Sequence, residues 1–425
     1  MRVVVTQLAA TAHLNLVVPI GWALKAAGHE VVIAAQPDIM PAVKQTGLLG
    51  VAVGDEARYA ERLAELAPEE TIYGSGYSIT ELRPEVLTYE YVRDCLAAFA
   101  SPLALEVNTD ASVFDGLVSF CRSWRPDLVI WDSMTYTGPV AAAACGAAHA
   151  RTTIGRDHLG RLRELFLRLR AERPDAAGED PLRDWLTAKL EKYGCEYTDD
   201  LVLGQTTIDS LPYWLRVPTE YDYLPVRYVA YNGPGTIPDW LHTEPERPRV
   251  CVTLGNSYQE VWDGRAELGY PELFEAVADL DLEVVALLGP ASVPDGVTVP
   301  GNVRIPGFVP LDPLLGSCSA IVHHAGTGST LTALLNGVPQ LIVPHALHDE
   351  DQVAAAIDAY GAGVHLPPER FSPSNLRTEL QRILNDSTFA ERARKAQEEM
   401  RATPTPHDLV KDLEELVIRH RKAIG

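Results

Sequence analysis

Residues 320–331, AIVHHAGTGSTL, combine a short apolar run, two adjacent histidines and a turn rich in glycine. The pattern predicts a buried strand, a tight turn and the start of a helix that Ser329 or Thr330 would cap. Gly326 and Gly328 would let the backbone come close to a bulky group. Because a helix N-terminus has unpaired N–H groups and a positive dipole end, this turn suits a phosphate. The glycines alone also fit an ordinary turn between a strand and a helix in a parallel sheet.

A histidine and an aspartate in the first half of the chain form a second candidate pair. His13 follows the first predicted strand and Asp132 ends another, so the two could meet at the carboxyl edge of one sheet. A carboxylate on one imidazole nitrogen fixes the tautomer and raises the basicity of the ring, whose other nitrogen can then take a proton from a hydroxyl. Spacing alone leaves open that His13 is a surface histidine and Asp132 an unrelated acid.

The spacing of the remaining histidines and acids argues against a metal site. Neither an HxH nor an HxxxH pair occurs, and adjacent histidines on a strand point to opposite faces, so only one of them can face a ligand. The candidates considered are His323, His324, His345, His348, Asp349 and Asp351. A GxSxG elbow is absent, and the first βα loop lacks the GxGxxG sequence of dinucleotide-binding proteins. We therefore expect neither a metal nor a bound cofactor.

The elements that must position these residues alternate between strand and helix, which predicts an α/β fold with two doubly wound domains in series. Strands are predicted over residues 2–8, 31–35, 126–132, 250–254, 283–288, 303–305 and 340–344, and at the apolar run that opens residues 320–331. A loop over residues 9–15 would hold His13, and a helix would run from 16 to 27 and end before Gly28.

Turn-forming residues concentrated between 212 and 248 mark a boundary between the two domains. The predicted organisation is a first domain over 1–215, a linker over 216–248, a second domain over 249–405 and a helix over 406–425 that packs toward the first domain. A cleft faced by the strand ends of both domains would suit a reaction of two substrates.

Composition narrows the range of partners. The 425 residues include 58 acidic and 36 basic side chains, a formal net charge of −22, which disfavours binding to nucleic acid or to an anionic membrane. No apolar run reaches the roughly 20 residues that span a bilayer. The N-terminus leads directly into a strand pattern rather than a secretory signal, and the six cysteines form no CxxC pair. We expect a cytoplasmic protein with reduced thiols.

Residues 156–173 form a basic amphipathic pattern within this acidic chain. Six arginines alternate with leucine and phenylalanine at helical spacing. The segment is either a peripheral helix with a solvated charged face or a docking surface for an acidic partner.

Several segments together resemble the GT-B glycosyltransferases of natural-product biosynthesis, an inverting family that uses nucleotide sugars. The strongest is VHHAGTGS at 322–329, which is close to the family's HHGGxGT sequence, with Ala325 in place of a glycine. GVPQ at 337–340, DQ at 351–352 and GAG at 361–363 follow in the family's order. LVSFCR, WRPDLVIW, LEKYG, YNGP and WLH, beginning at 117, 124, 190, 231 and 240, resemble the TDP-deoxysugar transferases that include the erythromycin desosaminyltransferase.

The resemblance implies the GT-B fold, with two Rossmann-like domains facing across a cleft. It also implies transfer of a deoxysugar, aminodeoxysugars included, from a TDP-sugar to a hydrophobic polyketide aglycone with inversion. His13 would be the general base and Asp132 its supporting acid. His324, Asn256, Ser257 and the amides of Gly326, Thr327, Gly328 and Ser329 would hold the diphosphate, Phe308 and Val309 would flank the thymine, and Asp351 and Gln352 would meet the sugar.

The resemblance further implies protein partners, because several members of that branch need an auxiliary protein related to cytochromes P450. We therefore expect such an activator as a partner, together with a homodimer. The alternatives are a GT-B enzyme that uses UDP-sugars, as a glucosyltransferase or an epimerase, and a non-catalytic binding protein on the same scaffold. The sequence leaves open which aglycone and which deoxysugar are used, and whether the bond formed is O- or C-glycosidic.

Overall fold

The computed structural model describes residues 1–58, 61–62, 65, 75–100, 110–176, 178–253, 255, 270–287, 293, 296–344 and 348–424. The chain folds into two compact units, each built on a parallel sheet. The first unit comprises Met1–Ser210, Arg216–Val226 and Pro404–Gly425, and the second comprises Leu211–Leu215 and Arg227–Thr403.

The first unit contains strands β1 to β7. Their bounds are β1 Arg2–Thr6, β2 Glu30–Ala35, β3 Leu49–Ala52, β4 Leu128–Asp132, β5 Ala148–Thr152, β6 Thr207–Asp209 and β7 Tyr223–Pro225. They pair in parallel in the order β3-β2-β1-β4-β5-β6-β7. Successive residues Val3, Val4 and Val5 point to opposite faces and are all buried, as expected for a parallel strand covered on both sides.

Helices of the first unit lie between and after these strands. Those whose bounds lie in the described residues are α1 Thr11–Ala26, α2 Met40–Gln45, α3 Tyr89–Phe99, α4 Ala111–Trp124, α5 Thr137–Cys145, α6 His158–Ala171, α7 Pro181–Glu191 and α8 Asp200–Leu203. Helix α1 ends before Gly28, which has a φ of 91° and terminates the helix as the sequence predicts.

The second unit contains strands β8 to β13, which pair in parallel in the order β10-β9-β8-β11-β12-β13. The strands are β8 Arg249–Thr253, β9 Glu283–Leu287, β10 Val303–Arg304, β11 Ala320–His323, β12 Gln340–Ile342 and β13 Gly363–His365. The helices are α9 Tyr270–Val277, α10 Leu311–Leu315, α11 Thr327–Asn336, α12 Glu350–Tyr360, α13 Pro373–Asn385 and α14 Ser387–Ala402. Short 3₁₀ turns occur at Pro37–Ile39, Pro174–Ala176, Tyr213–Leu215, Asp239–His242 and Pro368–Arg370.

The last helix, α15 Pro406–Ile424, belongs to the first unit. Its Glu414 Oε1 lies 3.1 Å from His29 Nε2, and its Arg421 pairs with Asp127. Strand β7, which lies within the stretch rich in turn formers, adds an edge to the first sheet through its pairing with β6. None of the described helices is both long and apolar enough to cross a membrane.

The basic segment forms α6, but its charges are not all solvated. Arg163 is only 2% exposed, and its Nη1 lies 2.6 Å from Oδ1 of Asp180, which is equally buried. Arg170 binds the other carboxylate oxygen at 2.9 Å, and Asp180 also accepts the N–H of Arg183 at the start of α7. Burial is the largest single influence on Asp180 and would raise its pKa, but the hydrogen bonds and positive charges of Arg163, Arg170 and the Arg183 backbone together hold the pKa below its usual value. Arg163 therefore belongs neither to a solvated charged face nor to a docking surface for an acidic partner.

Candidate active site

One candidate site, in the first unit, is a histidine–carboxylate pair at the carboxyl edge of the first sheet. Nδ1 of His13 hydrogen-bonds Oδ2 of Asp132, the last residue of β4. The prediction that these two side chains meet at one edge of the sheet is therefore confirmed. With Nδ1 turned toward the carboxylate, Nε2 is the ring nitrogen that can accept a proton from a hydroxyl.

The carboxylate of Asp132 is held rigidly by the backbone. The side chain is 1% exposed, its Oδ1 accepts the N–H of Met134 at 2.7 Å, and its Oδ2 accepts the N–H of Leu8 at 3.3 Å. These backbone donors come from the segments that leave β4 and β1, which are neighbours in the sheet. The sheet itself thus fixes the group that orients His13.

The position of His13 corrects one sequence-based expectation. His13 lies in the first turn of α1, which begins at Thr11, rather than in a loop over residues 9–15. The apolar periodicity that suggested a start at residue 16 is clear only from there on. The preceding residues contain neither glycine nor proline, however, so they can continue the helix toward its N-terminus.

A second candidate site, in the second unit, is the turn between β11 and α11. The helix begins at Thr327 with Gly326 as its N-cap residue, and no side chain makes a capping hydrogen bond. The prediction that Ser329 or Thr330 caps the helix is therefore wrong, because both lie inside its first turn. An N-terminus without a side-chain cap leaves its first N–H groups to bind an anion.

The two adjacent histidines have different environments. His323 is fully buried, its Nε2 donates to Oε1 of Gln340 at 2.9 Å, and its Nδ1 accepts the N–H of Ala325 at 3.1 Å. Burial lowers the pKa of His323 to about 4, against the opposing effect of the Gln340 hydrogen bond. His323 is therefore neutral near pH 7 and holds the turn in shape.

The ring of His324 fits between two glycines. A Cβ at Gly255, just after β8, would overlap this ring, and a Cβ at Gly326 would lie 2.8 Å from its Nε2. Glycine at both positions lets the backbone of two neighbouring turns close on the imidazole. Sequence reasoning missed Gly255, whose only signal was its place directly after a predicted strand.

Four further predicted residues lie at the carboxyl side of the second sheet. Phe308 follows β10 and is 60% exposed, whereas Val309 is 5% exposed and packs in the core of the unit. The side chain of Val309 therefore cannot flank a base. Asp351 and Gln352 lie in the first turn of α12, and Oδ1 of Asp351 is 2.9 Å from Nε2 of His365, which sequence reasoning also missed.

Some predicted positions lie outside the described residues. These are Asn256, Ser257 and His345. Within the part of the chain that the structure describes, no three histidine, cysteine or acidic side chains are grouped so that they could hold a metal ion.

Comparison with known proteins identifies the chain. The family of erythromycin biosynthesis protein CIII-like proteins matches it through both of its domains, the N-terminal one over residues 22–255 and the C-terminal one over 271–416. The chain belongs to this family.

Similarity to individual members of the CIII-like family extends over whole chains. The aclacinomycin-T 2-deoxy-L-fucose transferase of Streptomyces galilaeus is 43% identical, over 100% of this chain and 98% of the relative. The tylactone mycaminosyltransferase of Streptomyces fradiae is 42% identical over 99% of this chain and 93% of its own. The crystal structure of the glycosyltransferase VinC in complex with dTDP superposes with a TM-score of 0.89 at 40% identity, covering 99% and 100% of the two chains. This CIII-like protein is thus a glycosyltransferase with the GT-B fold, which confirms the fold and enzyme class predicted from sequence.

Proposed function

We propose that the protein is an inverting glycosyltransferase that moves a deoxysugar from a TDP-sugar to a polyketide aglycone. The observation that carries the proposal is the hydrogen-bonded His13–Asp132 pair at the carboxyl edge of the first sheet. Full-length similarity to transferases of 2-deoxy-L-fucose and mycaminose supports the choice of donor, and the dTDP complex of VinC supports the choice of nucleotide.

On the acceptor side, Nε2 of His13 removes the proton of a hydroxyl as its oxygen attacks the anomeric carbon. Asp132, already bonded to Nδ1, stabilises the imidazolium that forms. General base catalysis of this kind contributes on the order of 10²–10⁴ in rate. A single displacement from the face opposite the leaving group inverts the anomeric centre.

On the donor side, the bond between the anomeric carbon and the diphosphate oxygen breaks, and negative charge grows on the diphosphate. In this proposal the N–H groups at the start of α11 and the ring of His324 stabilise that charge, which the uncapped start of α11 supports. A single fixed donor of this type is typically worth roughly 3–4 kcal/mol in the transition state. With these donors, the proposal assigns no metal to the reaction.

Nucleotide binding tests the donor half of this proposal. At a TDP concentration 100 times its Kd, the free energy of unfolding should rise by about 2.7 kcal/mol, measured as a thermal shift. UDP should protect less, and EDTA should not change product formation. Absence of protection by TDP would overturn the proposal. Stronger protection by UDP, or isomerisation of the donor sugar without an acceptor, would favour a UDP-sugar enzyme or an epimerase.

Product formation tests the acceptor half. TDP-2-deoxy-L-fucose and TDP-mycaminose should be incubated with a panel of macrolide and anthracycline aglycones, and glycosylation followed by mass spectrometry. The P450-like activator that the resemblance implies and the expected homodimer are also proposals. Reactions with and without the activator, and light scattering of the purified protein, test them.

A further inference from the structure

Gly235 lies directly against the exposed ring of Phe308. A Cβ added at Gly235 would stand 2.8 Å from Cε1 of Phe308 and 2.8 Å from Cγ of Pro310, closer than carbon atoms approach one another. The φ angle of Gly235 is outside the left-handed region, so its backbone conformation does not require glycine. The reason for glycine here is therefore space beneath the aromatic ring.

Hydrogen bonds connect the loop that carries Gly235 to helix α11 through Asp312. Oδ1 of Asn232 accepts the N–H of Asp312 at 3.3 Å, at the start of α10. Oδ1 of Asp312 in turn accepts Nδ2 of Asn336, the last residue of α11, at 2.8 Å. Residues 231–235, the loop that contains Phe308 and helix α11 thus hold one another in place within the second unit.

The ring of Phe308 is exposed, although the residue that follows it is buried. The following residue, Val309, is 5% exposed and packs in the core, and Gly235 lies beside Cε1 of the ring. A phenylalanine ring that is 60% exposed offers an apolar aromatic face that a ligand can cover. A nucleobase is a suitable cover, because stacking needs only a flat aromatic face.

We propose that Gly235 is a positioning residue for the nucleobase subsite, because it sets the place and tilt of the Phe308 ring on which the base stacks. The inference rests on the proposed function, in which Phe308 flanks the thymine of TDP. An added methyl group at residue 235 moves the ring without removing it, so base binding weakens while the diphosphate contacts remain.

The test is calorimetric titration of the full chain with TDP and, separately, with inorganic diphosphate. Gly235→Ala should weaken TDP binding about three- to tenfold, as a partial loss of stacking that is worth roughly 1–3 kcal/mol for one base. Binding of inorganic diphosphate should not change. Gly301→Ala is the matched control, since it has no atom within 4 Å of its added Cβ and no positive φ, and it should bind TDP as the parent does.

A double-mutant cycle separates positioning from a general effect on the unit. Phe308→Ala alone should weaken TDP binding at least fivefold, and adding Gly235→Ala to it should cause no further loss. TDP binding by Gly235→Ala within twofold of the parent would overturn the inference, as would equal weakening by Gly235→Ala in the presence and absence of the phenyl ring. Failure of the parent itself to bind TDP would instead overturn the proposed function. Thermal denaturation of each variant verifies that it is folded.

Discussion

At the scale of single residues, two neighbouring histidines illustrate how position decides chemistry. Alternation along a strand predicts that His323 and His324 face opposite sides, and the structure buries one against Gln340 and places the other in a slot of two glycines. The slot itself could not be predicted, because Gly255 lies 69 positions before His324 along the chain. Its contact with the ring exists only after β8 and β11 pair.

His323 should make the stability of the second unit depend on pH. Its folded-state pKa is about 4, below the ordinary value of 6.5, so the unfolded chain binds the proton first as pH falls. Stability is therefore present above about pH 6.5 and is lost at up to about 1.4 kcal/mol per pH unit between 6.5 and 4.

The variant His323→Asn should reduce the slope of the free energy of unfolding against pH, between pH 4 and 6.5, by the equivalent of about one bound proton. The slope is measured from urea unfolding at several pH values. The exposed His407 provides a control, since His407→Asn should keep the slope of the parent. Equal slopes for the parent and His323→Asn would contradict the burial of a neutral imidazole.

At the scale of elements, the sequence predicts the strands that carry the candidate residues but misses β3, β5, β6, β7 and β13, and it misplaces where two helices begin. Both α1 and α11 start earlier than their apolar periodicity suggests, at Thr11 and Thr327. Neither start has a side-chain cap, so the sequence signal that usually marks a helix N-terminus is missing at both. Sequence reasoning thus misplaces the starts of two helices whose first turns carry candidate residues.

Ala325 stores strain in the turn before α11. Its φ is 76°, in the left-handed region, where an L-residue with a Cβ costs roughly 1–2 kcal/mol. Ala325→Gly should relieve this strain and, after the entropy that glycine adds to the unfolded chain, raise the free energy of unfolding by about 0.5–1 kcal/mol. Denaturant unfolding of the second unit measures the change. A loss of stability in this variant would show that the Ala325 methyl group contributes packing that exceeds the strain.

The arginine-rich helix α6 contributes stability through a buried ion pair. Removing one partner leaves the other charge buried and alone, which costs about 3–5 kcal/mol. Arg163→Met should therefore strongly destabilise the first unit, whereas Arg168→Met, an exposed position on the same helix, should change little. Similar unfolding midpoints for the two variants would contradict this assignment. Because Arg163 is buried, charge reversal there reports on folding rather than on docking of a partner.

At the scale of the whole molecule, alternation of apolar strands and helices is sufficient to predict two α/β units, because parallel strands must be covered on both faces. The order of the strands is not predictable in this way, since it depends on crossovers between distant segments. The proline and glycine content also cannot predict how often the chain passes between the two units. The chain leaves the first unit after Ser210, returns for residues 216–226, and returns again with α15.

The candidate sites could also be predicted from the sequence only in part. Its residue types and their places at strand ends were predictable, because ligand sites in open α/β sheets lie at the carboxyl edge. The contacts that hold those residues were not, because they join segments far apart in sequence. His365 beside Asp351 and Gly235 beneath Phe308 are examples within the second unit.

Turnover of the His13→Ala variant tests the central claim most directly. The assay is initial-rate formation of the glycosylated aglycone from a TDP-deoxysugar, with TDP affinity measured in parallel and His407→Ala as the control. If His13 is the base that Asp132 orients, turnover falls by about 10²–10⁴ while the Kd for TDP stays within twofold. Turnover within tenfold of the parent, at unchanged TDP affinity, would contradict the assignment of His13 as the general base.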